Sequence, residues 1–191
     1  GLEGTCRAIL ARPDFNAVNV QDSSGRTALH VAAFLGHAAI CGAVVGHAGF
    51  RALDAEDEED SETALQCAVG MGFMQVVEAV VARCNTTVLN SRMLGPSLLH
   101  WAIARSFTSV CLVIVNRADF RGINVKDGSL RTALHCAAHR GLEEVCMAIA
   151  DSEALCTVND SDEVGVTALQ LAMGSDLDMA CEAIISRRDF H

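Results

Sequence analysis

Tyrosine is absent from this chain of 191 residues, tryptophan occurs once and proline twice. Aromatic residues make up only 4% of the sequence although 51% of it is hydrophobic, so Ala, Val, Leu, Ile and Cys must fill any core. Small side chains in that proportion suit helices packed close together. Positive charge is scarce as well. Lys and Arg number 14 against 24 Asp and Glu, for a formal charge of −10, and the basic residues are scattered along the chain. A nucleic-acid partner is therefore not expected, because holding phosphates needs a basic face. Much of the negative charge sits in one run, Asp54, Glu56, Asp57, Glu58, Glu59, Asp60 and Glu62.

Long apolar runs are missing too. The most apolar stretch, Ala28 to Phe50, is interrupted by His30, His37 and His47 and by Gly36, Gly42, Gly46 and Gly49. That pattern reads as helix, turn and helix rather than a membrane span, so direct membrane insertion is not expected. Nine cysteines would suggest a disulfide framework in a short secreted chain, but the number is odd and no signal peptide is visible. The expected setting is intracellular and cytoplasmic, with an organelle interior as the alternative. Dinucleotide-binding and phosphate-binding glycine loops, the H-E-x-x-H zinc motif and the G-x-S-x-G nucleophile motif are all absent. Neither an enzyme activity nor a cofactor or metal is expected.

What the chain does contain is a period. Thr27-Ala28-Leu29-His30 recurs as Thr63-Ala64-Leu65-Gln66, Ser97-Leu98-Leu99-His100, Thr132-Ala133-Leu134-His135 and Thr167-Ala168-Leu169-Gln170, at steps of 36, 34, 35 and 35 residues. Other columns keep the same spacing. Gly36, Gly72, Ser106, Gly141 and Asp176 each follow nine residues after the Thr or Ser. Cys6, Cys41, Cys111, Cys146 and Cys181 form a further column, interrupted by Val77. Asn19, Asn90, Asn124 and Asn159 form another, with Asp54 in the matching place.

Each column has a physical reading. The Thr27 hydroxyl can cap a helix by accepting from an otherwise unpaired backbone N–H. Ala28, Leu29, Ala32 and Ala33 then make an apolar face at helical spacing. Gly36 can end that helix in a left-handed conformation. A second helix follows, with Ile40, Cys41, Val44 and Val45 on its inner side, and the turn formers between Asn19 and Gly25 lead from one helix pair to the next. A unit this small cannot bury its apolar face alone, so the units must stack.

The pattern D-x-x-G-x-T-A-L-H-x-A-A-x-x-G-H, which runs here from Asp22 to His37, resembles the ankyrin repeat. Asp127 to Gly141 matches well apart from Leu130 in place of the turn glycine. The expected fold is an all-α repeat, an ankyrin-type solenoid of stacked helix-turn-helix units with hairpin loops. The whole chain, 1–191, reads as one array with a partial repeat at 1–21 and repeats at 22–57, 58–91, 92–126, 127–161 and 162–191. The period exceeds the roughly 33 residues of the family, and the excess is expected in the hairpin loops. Ala or Leu replaces the proline that usually follows the Thr. Arg92 stands for the Asp and Ser106 for the Gly in the third unit, and Asp176 leaves the last inter-helix turn least well specified. Gly1 to Ile9 parallels Gly141 to Ile149, and Arg187 to Phe190 parallels Arg12 to Phe15. The chain thus reads as a fragment of a longer array, with flanking sequence expected.

Some residues invite a chemical reading. Cysteines at equivalent places in stacked helices should lie about 8–10 Å apart, too far for a disulfide, so they are expected to pack as small apolar groups. Cys84 and Cys156 fall in linkers and are expected to be exposed. His135 and His139 have a spacing that can bind zinc, but no further ligand is evident. His135 shares a column with His30 and His100, and in ankyrin repeats that His bonds loop backbone. Trp101 aligns with Val31, Cys67, Cys136 and Leu171 and is expected in the core. The acidic run reads as a solvated loop, or as a means of steering a basic partner.

The family resemblance implies that loop tips and the outer face of each first helix line a continuous concave surface. Carried over position by position, it puts Arg26, Phe34, Leu35, Glu59, Glu62, Met71, Arg105, Arg131, His139 and Arg140 on a partner-binding face. Asp60, Leu94 and Pro96 fall in the same set of positions. The expected function is a protein–protein interaction scaffold whose partner is another protein. The alternatives are a structural or peripheral subunit of a large assembly, or a regulatory segment of a multidomain enzyme.

Overall fold

A computed structural model describes residues 1–59, 62–84, 86–90 and 97–191. Asp60, Arg92, Leu94 and Pro96 lie outside the described residues. The described residues form twelve α-helices joined by loops, with isolated bridges and no named strand. They divide into two compact units, Gly1–Val88 and Leu89–His191.

The first unit holds α1 (Leu2–Leu10), α2 (Ala28–Phe34), α3 (Ala38–Val45), α4 (Ala64–Gly70) and α5 (Met74–Val81). Here α2 packs on α3 and α4 on α5, while α2 also lies on α4, and α3 lies between α1 and α5. First helices therefore stack on first helices and second on second. A short helix, α6 (Thr86–Leu89), falls where the two units meet in sequence. The second unit holds α7 (Leu98–Ala104), α8 (Thr108–Val115), α9 (Ala133–His139), α10 (Glu143–Asp151), α11 (Ala168–Gly174) and α12 (Asp178–Ile185). It repeats the arrangement, with α7, α9 and α11 in one layer and α8, α10 and α12 in the other.

The threonine column starts the first helices as the sequence implies. Thr27, Thr63, Thr132 and Thr167 open capping boxes in which the hydroxyl meets the backbone of the third helical residue and that residue's side chain returns to the cap. A cap of this kind contributes about 1 kcal/mol, which matters in a helix of seven residues. The left-handed stop after the first helix appears in every unit, at Gly36, Gly72 and Gly141 and also at Ser106 (φ 55°) and Asp176 (φ 54°). Leu130 likewise takes the left-handed turn (φ 58°) that Gly25 and Gly165 take in their own hairpins. Topology thus holds these residues in a conformation that a glycine would adopt without steric cost.

The hairpins are tied by aspartates. Asp22 Oδ1 accepts from the amides of Ser24 (2.9 Å) and Arg26 (3.0 Å), and Asp127 and Asp162 repeat the pair of bonds. Three tips close from Asp to the fourth residue on, by Asp22 N–H to Arg26 O, Asp127 N–H to Arg131 O and Asp162 N–H to Val166 O. In the hairpin between the repeats 22–57 and 58–91, Asp57 N–H reaches Glu62 O, one residue further, and the longest step of the period, 36 residues, ends there. Successive repeats are joined by the asparagine column. Asn124 donates to Ala154 O (2.6 Å) and accepts from Cys156 N–H (2.9 Å), and Asn19, Asn90 and Asn159 do the same one repeat apart.

The core is made of small and aliphatic groups. Leu29, Ala32, Ala33, Cys41 and Val44 are buried in the first unit, and Leu99, Ala102, Ile103, Cys111, Ile114 and Leu134 in the second. Ala28, expected on the buried face of α2, is exposed instead, while Ile40 and Val45 are half-buried. Cys84, expected to be exposed, is buried, with its thiol facing the Val81 carbonyl at 3.4 Å. Cys156 is exposed as expected, and all nine cysteines are free thiols. Burial pushes the thiols of Cys41, Cys111 and Cys146 up to about 12, so they stay protonated at neutral pH.

Candidate functional site

The first helices place one face inward and leave another open. In α2, residues Leu29, Ala32 and Ala33 are buried, whereas Val31, Phe34 and Leu35 are exposed at i, i+3 and i+4. The same offset selects Cys67, Gly70 and Met71 in and after α4, Trp101, Ala104 and Arg105 in and after α7, and Cys136, His139 and Arg140 in and after α9. Trp101 is therefore not a core residue. It is half-buried and lines an open groove, and its column mates Val31, Cys67 and Cys136 also lie on groove walls. Leu171 is half-buried as well. The seven-residue helix has apolar positions on both sides, and the neighbouring helices cover the side that carries the small pair Ala32-Ala33 or Ala137-Ala138.

In the first unit α2, α4 and the hairpin that begins at Asp57 enclose a groove of about 520 Å³. Six of the residues assigned to a binding face line it: Arg26, Phe34, Leu35, Glu59, Glu62 and Met71. His30, Val31, Asp57, Cys67 and Gly70 complete its walls. Arg26 leans back to Asp22, with Nη2 3.1 Å from the carboxylate, so its charge is answered within its own loop. Burial raises the Cys67 thiol to about 12, and the nearby Glu62 carboxylate adds to the effect.

In the second unit α7, α9 and the loop between Asp127 and Arg131 enclose a groove of about 430 Å³. Arg131, His139 and Arg140 line it together with Trp101, Ala104 and Cys136. Arg131 pairs with Asp127 at 3.1 Å. Burial pushes the Asp127 carboxyl up, but the amides of Arg131 and Ser129 and the Arg131 side chain outweigh it, and the carboxyl ends below its ordinary value. Arg105, the last of the assigned positions, is exposed at the end of α7 but is not among the lining residues of either groove.

The histidine column is structural. His30 Nδ1 accepts from Thr27 N–H (3.1 Å), and its Nε2 meets Glu62 O at 3.2 Å in the next hairpin. His100 Nδ1 meets Ser97 Oγ at 2.8 Å and its Nε2 meets Arg131 O at 3.3 Å. His135 caps Thr132 in the same way, and its ring meets the backbone of Val166 and Asp160 in the next hairpin. His135 is thus engaged at the cap while His139 faces the groove, and the pair does not converge on one point.

Residues 2–91 match the family model for ankyrin repeats in 3 copies. No curated protein matches the sequence. Among solved structures, an ankyrin repeat domain from Acinetobacter baumannii AYE (ABAYE2397) aligns with a TM-score of 0.68 at 18% identity, over 96% of this chain and 91% of that one. The ankyrin repeat domain of Bcl-3, of the IkappaB protein family, aligns with a TM-score of 0.64 at 21% identity, over 97% of this chain and 78% of that one. A chain from the complex of the predatory endopeptidase Bd0816 of Bdellovibrio bacteriovorus with the immunity protein Bd3460 aligns with a TM-score of 0.60 at 20% identity, over 98% of this chain and 97% of that one. At these identities the likeness is one of fold. Among the described residues no helix is long and apolar enough to cross a membrane. The ankyrin fold is in general a protein–protein interaction module. With the Thr-x-x-His/Gln caps, the left-handed stops and the layered helix pairs, residues 2–91 belong to the ankyrin-repeat family and the chain as a whole has the ankyrin-repeat fold.

Proposed function

We propose that this chain is a scaffold that holds a partner protein on the face made by its hairpin loops and first helices, the concave face of an ankyrin array. One observation carries this reading. Val31, Phe34, Leu35 and Met71, each 43–59% exposed, come together in a single groove. Isolated exposed apolar side chains are ordinary on protein surfaces, whereas several converging in a concavity with a charged rim mark an interaction site. The groove of the second unit supports the reading independently, because Trp and Arg are the side chains that dominate interface energetics. In terms of the repeats, the first groove draws on 22–57 and 58–91 and the second on 92–126 and 127–161. An intracellular setting fits nine unpaired thiols, only one of which is fully exposed. Holding a partner in this way needs neither a cofactor nor a catalytic group.

Affinity capture from cell extract with the parent chain and the variants Phe34→Ala and Arg105→Glu tests the proposal. Phe34→Ala should reduce recovery of the captured protein by about tenfold, the usual scale for an interface anchor. Recovery unchanged by both substitutions would place binding on another face.

A further inference from the structure

We infer that the groove of the first unit takes a partner segment in which a large apolar side chain is flanked by Lys or Arg. This rests on the scaffold reading and names the chemistry that the groove selects. The floor is apolar on both sides, with Val31, Phe34 and Leu35 from α2 facing Met71 at the end of α4. Its volume, about 520 Å³, has room for one or two large side chains. The rim is acidic: Asp57, Glu59 and Glu62 line it, and Asp54, Glu56 and Glu58 stand exposed on the same stretch of chain.

Charge decides the occupant. The groove's cation, Arg26, is already neutralised by Asp22, and Asp57 accepts from the Glu62 amide of its own hairpin, so Glu59 and Glu62 give the rim its net negative charge toward whatever enters. An acidic segment would meet like charge over an apolar floor, and a purely apolar one would bury its surface beside carboxylates that it cannot pair. A basic-flanked apolar segment satisfies both, with affinity coming from the floor and selection from the rim. The groove of the second unit is a built-in contrast, since Trp101, His139 and Arg140 line it. Gly70 supplies a steric control. A Cβ added there meets nothing within 4 Å, so a larger side chain can occupy the groove without disturbing the fold.

The test is selection from a random phage-displayed dodecapeptide library on the immobilised chain, followed by fluorescence anisotropy of the enriched peptides. The enriched sequences should carry Leu, Ile, Met or Phe between Lys and Arg, and their affinity should fall as salt rises. Phe34→Ala, Gly70→Leu and the pair Glu59→Lys with Glu62→Gln should each weaken binding about tenfold or more. The pair Trp101→Ala with Arg140→Ala should leave it intact. Circular dichroism of each variant confirms folding. Enrichment of acidic peptides, binding indifferent to Phe34→Ala, or a library that yields no groove-dependent binder overturns the inference. Peptides that bind through Trp101 and Arg140 instead would overturn it while leaving the scaffold reading standing. The scaffold reading itself falls only if protein capture from extract is also indifferent to both grooves.

Discussion

His100 and His135 sit at the third position of α7 and α9, buried, and close the start of their helices. Thr132 N–H donates to His135 Nδ1 (3.3 Å), so this nitrogen must be the unprotonated one. A proton added there would set donor against donor. Burial holds both imidazoles below their ordinary value of 6.5. The unfolded chain takes up these two protons near pH 6.5, while the folded chain resists until a lower pH. Stability is therefore complete above that value, declines as the pH falls toward the lowered folded values, and levels off beneath them. While both folded imidazoles stay neutral below pH 6.5, the limiting slope is about 1.4 kcal/mol per pH unit for each histidine, or roughly 2.7 kcal/mol per pH unit for the pair. A slope of that size lowers a urea midpoint by about 1 M per pH unit for as long as it lasts. The repeats themselves supply the control. Gln66 and Gln170 occupy the same position and accept from Thr63 N–H (2.6 Å) and Thr167 N–H (2.9 Å) without titrating. The double variant His100→Gln with His135→Gln should keep the caps and flatten the response between pH 7 and 5. Urea unfolding followed by the fluorescence of Trp101, the single tryptophan and a residue of α7, reads the affected unit directly. A double variant that loses as much stability as the parent over this range would refute the reasoning.

Ser106 is exposed and held at φ 55°, so Ser106→Gly should raise stability by about 0.5–1 kcal/mol in urea unfolding. A loss of stability would show that the Ser side chain compensates for its backbone strain. Brief iodoacetamide treatment of the native protein at pH 7.5 should label Cys156 first, while Cys41, Cys84, Cys111 and Cys146 react only as the fold opens. Peptide mass spectrometry reads the order, and early labelling of Cys84 would contradict its burial.

Much of this molecule is local in origin. A threonine followed three residues later by His or Gln carries its own cap, and the Asp of each hairpin forms its turn with amides two and four residues on. Those bonds need no distant partner, so the repeat, the helix starts and the hairpins could be read from spacing alone. Nine of the ten assigned face positions line grooves because the offset from the threonine sets their direction on the helix. The stops at Ser106 and Asp176 were less legible, since neither residue enters a left-handed backbone as freely as glycine does. Stacking imposes that conformation.

Other features depend on what lies against each helix. The Trp101 column and the Leu29 column are equally apolar in sequence, and a seven-residue helix offers both faces to its neighbours. Only the packing of α2 on α4 and of α7 on α9 settles which face is covered and which becomes a groove wall. Cys84 looked exposed because its neighbours are linker-like, yet it is buried. Burial is a property of what surrounds a side chain, and in a stacked array the surroundings come from residues about thirty-five positions away.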